Sequence, residues 1–424
     1  MDGPAPIPAS ERIDIVDTTR GIAVLGILLM NIVGFAMPYA YEDPTNWGGH
    51  EGLNLFVWRV AALFFEGTMR GLFTVLFGAS VVLFLERHRM HDPNAPIAKL
   101  YYRRTLWLIV FGLVDAYLLL WDGDILLFYS VIGLTLYFFR NLSTKALIAW
   151  AAVVFLAQMG LTTHEYVSYS KARDAARAAE QAQFDAEPAP PIDRALLDEY
   201  ETAQQQLKPS HPQLEYMVDR MRASYRSAFS FMAERTSYVQ VSFFLRHGIG
   251  DLLSFMLLGM ALLKAGVLTG HASHRTYVAM TLSGYALGLG INMLETALLE
   301  RADFSVDALM FTHWTYDLGR LPMTLGHIGA ILLIHRHGLF TAAQRTLAAV
   351  GRMALTNYLA QSTICLFVFT GAGLALYGQL QRVELYYVVA AIWLGQLIWS
   401  PLWLAHFRFG PMEWLWRRLT YGKW

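Results

Sequence analysis

The residues able to do chemistry in this chain fall at helical spacing inside apolar surroundings. His247 and Asp251 stand at i, i+4, which puts an imidazole and a carboxylate on one helix face. A carboxylate so placed can orient the ring and stabilise its cation, so the pair suits general base work; a structural pair is the equal alternative. His313, Asp317, Arg320, Thr324 and His327 follow at gaps of 4, 3, 4 and 3 around Pro322, whose missing N–H loosens the helix. Asp17, Arg20 and Asn31 share one stripe, Arg59, Glu66 and Arg70 another, Asn292 and Glu295 a third, and Asn357 and Gln361 a fourth. Asp122 and Asp124 flank Gly123 in the turn WDGDIL. An ionisable group at membrane depth costs several kcal/mol unless paired or hydrated, so it marks a site or a structural lock. Interhelical hydrogen bonds of up to about 2 kcal/mol account for any single stripe. So many stripes together point to a shared polar cavity, and the spacing leaves open which of them meet.

Other chemistries are excluded. The chain has no Walker A loop, dinucleotide fingerprint, HExxH or serine-nucleophile elbow. Cys365 is the single cysteine, and His313 and His327 lie about 21 Å apart along a helix axis, so no metal site is expected. A net charge of zero gives no electrostatic argument for nucleic acid, and none is expected as a partner.

The elements that position these residues are membrane helices. Of 424 residues, 55% are apolar and only 16% charged, against about a quarter in soluble proteins. Ten runs approach the roughly 20 apolar residues that a span needs: 20–40, 55–85, 104–121, 124–140, 145–161, 240–264, 276–298, 312–335, 350–371 and 384–406. The expected fold is an all-α polytopic transmembrane bundle, in contact with the lipid bilayer. Arg87, Arg89, Arg104, Arg140, Lys264, Arg336, Arg418 and Lys423 fall in alternate loops, whereas the opposite short loops carry Glu42, Asp43, Glu51, Asp303 and Asp307, which predicts both ends in the cytoplasm. The N-terminal MDGPAPIPASERIDIVD lacks a basic n-region, so the first helix is expected to be retained.

Four regions follow: an N-terminal bundle over 1–161, an extracytoplasmic helical insertion over 162–237, a C-terminal bundle over 238–406 and an interfacial helix over 407–424. Glu187-Pro-Ala-Pro-Pro191 and Lys208-Pro-Ser-His-Pro212 divide the insertion into three helical stretches, readable as a solvated excursion or as a lid or docking arm. Trp414, Trp416, Arg417 and Arg418 give the last segment the look of a membrane-surface anchor.

The stretches IVDTTRGIAVLGILLMNIVGF, RGLFTVLFGAS, WDGDILLFYSVIGL, GRMALTNYLAQS and FGPMEWLWRRLTYG resemble the signatures of the YeiB-type bacterial membrane proteins, known also as domain of unknown function 418. The resemblance spans nearly the whole chain except the insertion and implies a bacterial inner-membrane location. The first helix of that family is similar to that of the membrane acyltransferase superfamily, which includes heparan glucosaminide acetyltransferase. This likeness implies acyl transfer from cytoplasmic acyl-CoA, through the bundle, to a hydroxyl or amine acceptor of the envelope or lipid, with a histidine as general base or acyl carrier. Acyl-CoA is then a co-substrate and no cofactor is held permanently; homo-oligomers are compatible with it. Arg20, Arg70, Arg103 and Arg104 suit CoA phosphates, because guanidinium groups bind phosphate oxygens bidentately. The heparan enzyme has an amide at the end of its first helix, where this chain has Asn31, and a histidine in the following outer loop, for which His50 is the nearest candidate. Asp115 stands where many members carry a histidine.

On this reading His50 and His247 handle protons and Asp251 orients His247. Asp124 shapes the outer end, and Asp17, Arg20, Asn31, Glu66, Arg70, Asp115, Asp122, Asp317, Arg320, His327 and Asn357 line the substrate cavity. A transporter or exporter of a small polar or amphipathic solute is the rival, since buried carboxylates and histidines also carry protons. A non-catalytic partner protein that docks through its insertion is the third reading.

Overall fold

The computed structural model describes residues 14–91, 96–185 and 193–422, and among them the chain is helical with no strand. The N-terminal segment through residue 13, the expected break at 187–191 and Lys423 lie outside the described residues. The first half contains α1 (Asp14–Ala36), α2 (Gly52–Phe64), α3 (Thr68–His91), α4 (Ile97–Leu113), α5 (Ile125–Phe139) and α6 (Thr144–Phe184). After α7 (Arg194–Leu207), α8 (His211–Ala223) and α9 (Tyr225–Tyr238) come α10 (Ile249–Lys264), α11 (His274–Arg301) and α12 (Val306–Arg336). The chain closes with α13 (Thr341–Arg352), α14 (Ala354–Phe369), α15 (Arg382–His406) and α16 (Pro411–Tyr421).

Short polar residues start these helices where the apolar runs begin. Ser143, Ser273 and Ser305 accept the first free N–H groups of α6, α11 and α12. Each of the ten apolar runs falls mostly on helix. Seven segments are long and apolar enough to cross a bilayer: Asp14–Ala36, Gly52–Met90, Thr144–Phe184, Tyr225–Lys264, His274–Arg301, Val306–Arg336 and Arg382–His406. Ile125–Phe139 and Ala354–Phe369 are apolar but shorter. The apolar faces of α6, α11 and α15 point outward, with Leu156, Leu294 and Leu394 each more than 60% exposed, as lipid-facing residues are.

α1, α3 and α10 form the centre. α3 and α10 cross with their backbones in contact because both carry glycine there: a Cβ on Gly78 would strike the Met256 carbonyl, and one on Gly259 the Val75 carbonyl. Between α2 and α3 the helix breaks at Phe65–Gly67, where Gly67 takes φ +62°, so Glu66 sits on a turn rather than one regular turn before Arg70.

The insertion corrects its expected organisation. Its first stretch is the continuation of α6, a single 41-residue helix about 60 Å long. The returning helices fold down on one end of the bundle rather than standing in solvent. Arg177 pairs with Asp307 at 2.5 Å, Lys208 with Asp43 at 3.3 Å, and Arg235 with Asp122. Leu214, Met217, Met221 and Met232 are buried beneath them. This is the cap end of the molecule. At the opposite end α16 docks by one face: Trp416 donates to the Arg104 carbonyl at 2.9 Å and Tyr421 meets His88 at 3.2 Å, while Trp414 stays 47% exposed.

Candidate functional site

A chain of polar groups runs from the cap end toward the middle of the bundle. At its deep end, Asp251 on α10 receives both nitrogens of the Arg320 guanidinium from α12 and Arg70 of α3 at 2.9 Å. Asp317, one turn before Arg320, pairs with it at 2.6 Å. Arg320 is 2% exposed and its guanidinium lies over the Phe255 ring, so its charge is buried with Asp251 and Asp317, and Arg70, one-third exposed, completes a set of two cations and two carboxylates with no net charge.

One step toward the cap, the Tyr316 hydroxyl donates to Glu66 at 3.4 Å, with Tyr41 beside the same carboxylate. Two histidine–glutamate dyads follow. His313 Nε2 meets Glu42 at 2.9 Å, and His247 Nε2 meets Glu165 at 2.7 Å. The dyads are neighbours, because each carboxylate lies within electrostatic reach of the other dyad's ring. His313 and Glu42 keep 41% and 49% of their side chains accessible, so this dyad is open rather than enclosed, and the open space that it faces is the cleft. Burial pushes the Glu42 carboxyl upward, but the His313 charge and hydrogen bond outweigh it and hold the group below the usual glutamate range. Nearby on α12, Trp314 donates to Thr163 at 2.8 Å and Thr315 to Glu295.

In the neutral form of each ring the nitrogen facing the glutamate is the donor and Nδ1 keeps its lone pair; the Nδ1 of His247 is buried without a partner among the described residues. Such a ring can take a proton from an acceptor hydroxyl or amine while the carboxylate stabilises the resulting cation.

The profile described as "Protein of unknown function (DUF418)" matches residues 262–423. "Uncharacterized protein YxaH" of Bacillus subtilis (strain 168) is 31% identical, covering 100% of this chain and 98% of its own length. "Uncharacterized protein YeiB" of Escherichia coli (strain K12) is also 31% identical, over 97% of this chain and 96% of its own. The chain belongs to the YeiB-type DUF418 family. No solved structure matches it.

The DUF418 signatures meet in space. Gln361 of GRMALTNYLAQS donates to the Val24 carbonyl of α1 at 3.2 Å, and Thr18 donates to the Gln344 carbonyl at 3.3 Å. Glu413 of FGPMEWLWRRLTYG caps α14 from a distance: its Oε1 accepts the Leu355 and Thr356 N–H groups at 2.7 and 3.0 Å, and its Oε2 the Thr356 hydroxyl at 2.5 Å. Tyr358 of α14 reaches Asp124 of WDGDIL at 3.4 Å. These contacts join α1, α5, α14 and α16 by packing.

Several expected site residues belong to that packing. Asp17 pairs with Arg20 at 2.7 Å, and Arg20 reaches Ser80 at 3.2 Å, as a lock between α1 and α3. Asn357 binds Ser400 and Trp399, and Gln361 binds Gln396, joining α14 to α15. Asp122 is held by Arg235 and Asp124 caps α5. Asp115 is buried beside Asp124, away from the dyads. His327 turns to the Met323 carbonyl of its own helix and to Tyr285, outside the cluster. Arg104 is stacked on Trp416, Arg103 is exposed, and Asn31 is partly exposed on α1 without a hydrogen bond among the described residues.

Two expectations are corrected. Asp251 does not orient His247: a π-helical stretch, Val239–Gly248, precedes α10, so the i, i+4 rule fails across the junction and Asp251 goes to Arg320 and Arg70 instead. Glu66 and Arg70 do not share one regular helix stripe, since the helix breaks at Phe65–Gly67. His50 lies on the exposed loop before α2, with no hydrogen bond among the described residues. The residues that sequence reasoning missed are Glu42, Glu165 and Tyr316. The only signal for Glu165 was its position just past the apolar run of α6, in a segment read as part of the insertion.

Proposed function

We propose that this DUF418 protein is an integral membrane acyltransferase of the bacterial inner membrane, moving an acyl group from cytoplasmic acyl-CoA to a hydroxyl or amine of an envelope or lipidic acceptor. The observation that carries this is the pair of adjacent histidine–glutamate dyads in one accessible cleft at the cap end. On the ten-span reading with both ends cytoplasmic, the cap lies on the outer side, where the acceptor enters. Arg104, Arg140, Arg336 and Lys264 then lie toward the cytoplasm, in line with the positive-inside bias; the long insertion, whose Arg177, Lys208 and Arg235 are paired with acids, is exempt from that bias.

His313, the more accessible dyad, takes the acceptor's proton at Nδ1, and Glu42 stabilises the ring as it becomes a cation. The pantetheine arm carries the thioester through the bundle from the cytoplasmic side, and the acceptor oxygen or nitrogen attacks its carbonyl carbon. The tetrahedral intermediate collapses with loss of the CoA sulfur, which recovers the proton as a thiol. His247 and Glu165 form the second relay for that proton. Arg70, one-third exposed beside the cleft, is the cation available to the developing oxyanion. The deeper Asp251, Arg320 and Asp317 cluster holds Arg70 in place.

The test is CoA release and acyl transfer by protein in nanodiscs, comparing His313→Gln, His247→Gln and the control His406→Ala. Loss in the first two with the control active supports the reading. Equal activity in all three removes the dyads from the reaction, and solute uptake that needs His313 without any CoA release would replace the enzyme by a transporter.

A further inference from the structure

A second buried titratable group lies outside the cleft. Asp115 sits on a π turn, Val114–Leu118, with 0% exposure, and neither carboxyl oxygen has a hydrogen-bond partner among the described residues. The groups facing it are Asp124 at the start of α5 and Tyr358, Ser362 and Cys365 of α14, and none is cationic. Asp124 is engaged as an anion: it accepts the Leu126 N–H at 3.1 Å, the Leu127 N–H at 2.8 Å and the Tyr358 hydroxyl at 3.4 Å. Ser362, 1% exposed, has a hydroxyl without a partner beside Asp115.

Two ionised carboxylates in contact, buried and without a cation, cannot both persist. A neutral carboxyl at Asp115 removes one charge and supplies an O–H, for which Asp124 is the adjacent acceptor. We propose that Asp115 and Asp124 form a proton-binding site, in which Asp115 keeps its proton at neutral pH and donates it to the Asp124 carboxylate. The Ser362 hydroxyl then donates to the remaining Asp115 oxygen. The bound proton fastens three elements: the π turn after α4, the start of α5 and α14. Cys365, next to Asp115, also lines a cavity of about 60 Å³ beneath the cap, together with Asp122 and Arg235.

Infrared spectroscopy of the full chain in nanodiscs, with isotope-labelled aspartate, reads the proton directly. The expected result is a protonated-carboxyl band at neutral pH that disappears in Asp115→Asn. No such band in the wild type, or an unchanged band in the variant, overturns the proposal. Melting temperature gives a second reading: Asp115→Asn, which keeps the shape and a donor, should melt at or above the wild type, with the largest gain at alkaline pH. Asp124→Asn should melt lower. Wild-type melting that rises with added sodium or potassium, together with a lower-melting Asp115→Asn, would mean an ionised Asp115 holding a metal cation and would overturn it.

Discussion

Replacing Asp251 by asparagine tests the buried charge cluster most sharply. Arg70 and Arg320 are balanced there by Asp251 and Asp317, two cations against two anions. The asparagine leaves two cations against one anion in a space where Arg320 is 2% exposed. Breaking a buried pair by removing one partner costs about 3–5 kcal/mol, because the remaining charge stays desolvated. Asp317→Asn leaves the same two-to-one charge count but removes a single contact, the 2.6 Å pair within α12, and keeps both arginines clasped by Asp251, a loss of about 1.5–3 kcal/mol for a charged hydrogen bond. Melting followed by tryptophan fluorescence in one detergent, at one heating rate, ranks the variants even when unfolding is irreversible. The expected order is wild type, then Asp317→Asn, then Asp251→Asn. An Asp251→Asn protein that melts with the wild type, or above Asp317→Asn, would refute the cluster as the joint of α3, α10 and α12.

Glu413→Ala should lose about 1–2 kcal/mol, since it uncaps α14, with Glu413→Gln between it and the wild type in the same melting assay. Gly259→Val should lower the yield of folded, monodisperse protein on size-exclusion chromatography, because overpacking there pushes α10 off α3 and costs about 1–3 kcal/mol or more. Glu42, held below its usual range by His313, contributes stability above an unfolded pKa of about 4.3 that is lost as pH falls through the lower folded value. Acidification across that window should therefore lower the melting temperature of the wild type more than that of Glu42→Gln; parallel curves would mean that the dyad does not form.

The helical membrane architecture was legible because apolar runs of near-spanning length have no other stable form in lipid. Local pairs within regular helix were legible too: Asp17 with Arg20 and Asp317 with Arg320 lie one turn apart and do pair. What failed were pairs across irregular backbone. The π stretch before α10 separates His247 from Asp251, and the turn at Phe65–Gly67 separates Glu66 from Arg70. The dyads themselves join residues far apart in sequence, Glu42 to His313 and Glu165 to His247, and no periodicity within one helix carries that information. The family motifs were visible as strings, whereas their role as mutual caps and locks required the contacts of Glu413, Tyr358 and Gln361.

The central claim is that the cleft activates an acceptor against an acyl thioester. Purified protein in nanodiscs, incubated with acetyl-CoA and longer acyl-CoAs plus an envelope lipid extract, should release free CoA and yield a lipid or glycan heavier by the acyl mass, with both signals lost in His313→Gln. Release of no CoA at any chain length from folded protein, or release that persists undiminished in His313→Gln and His247→Gln alike, would contradict it.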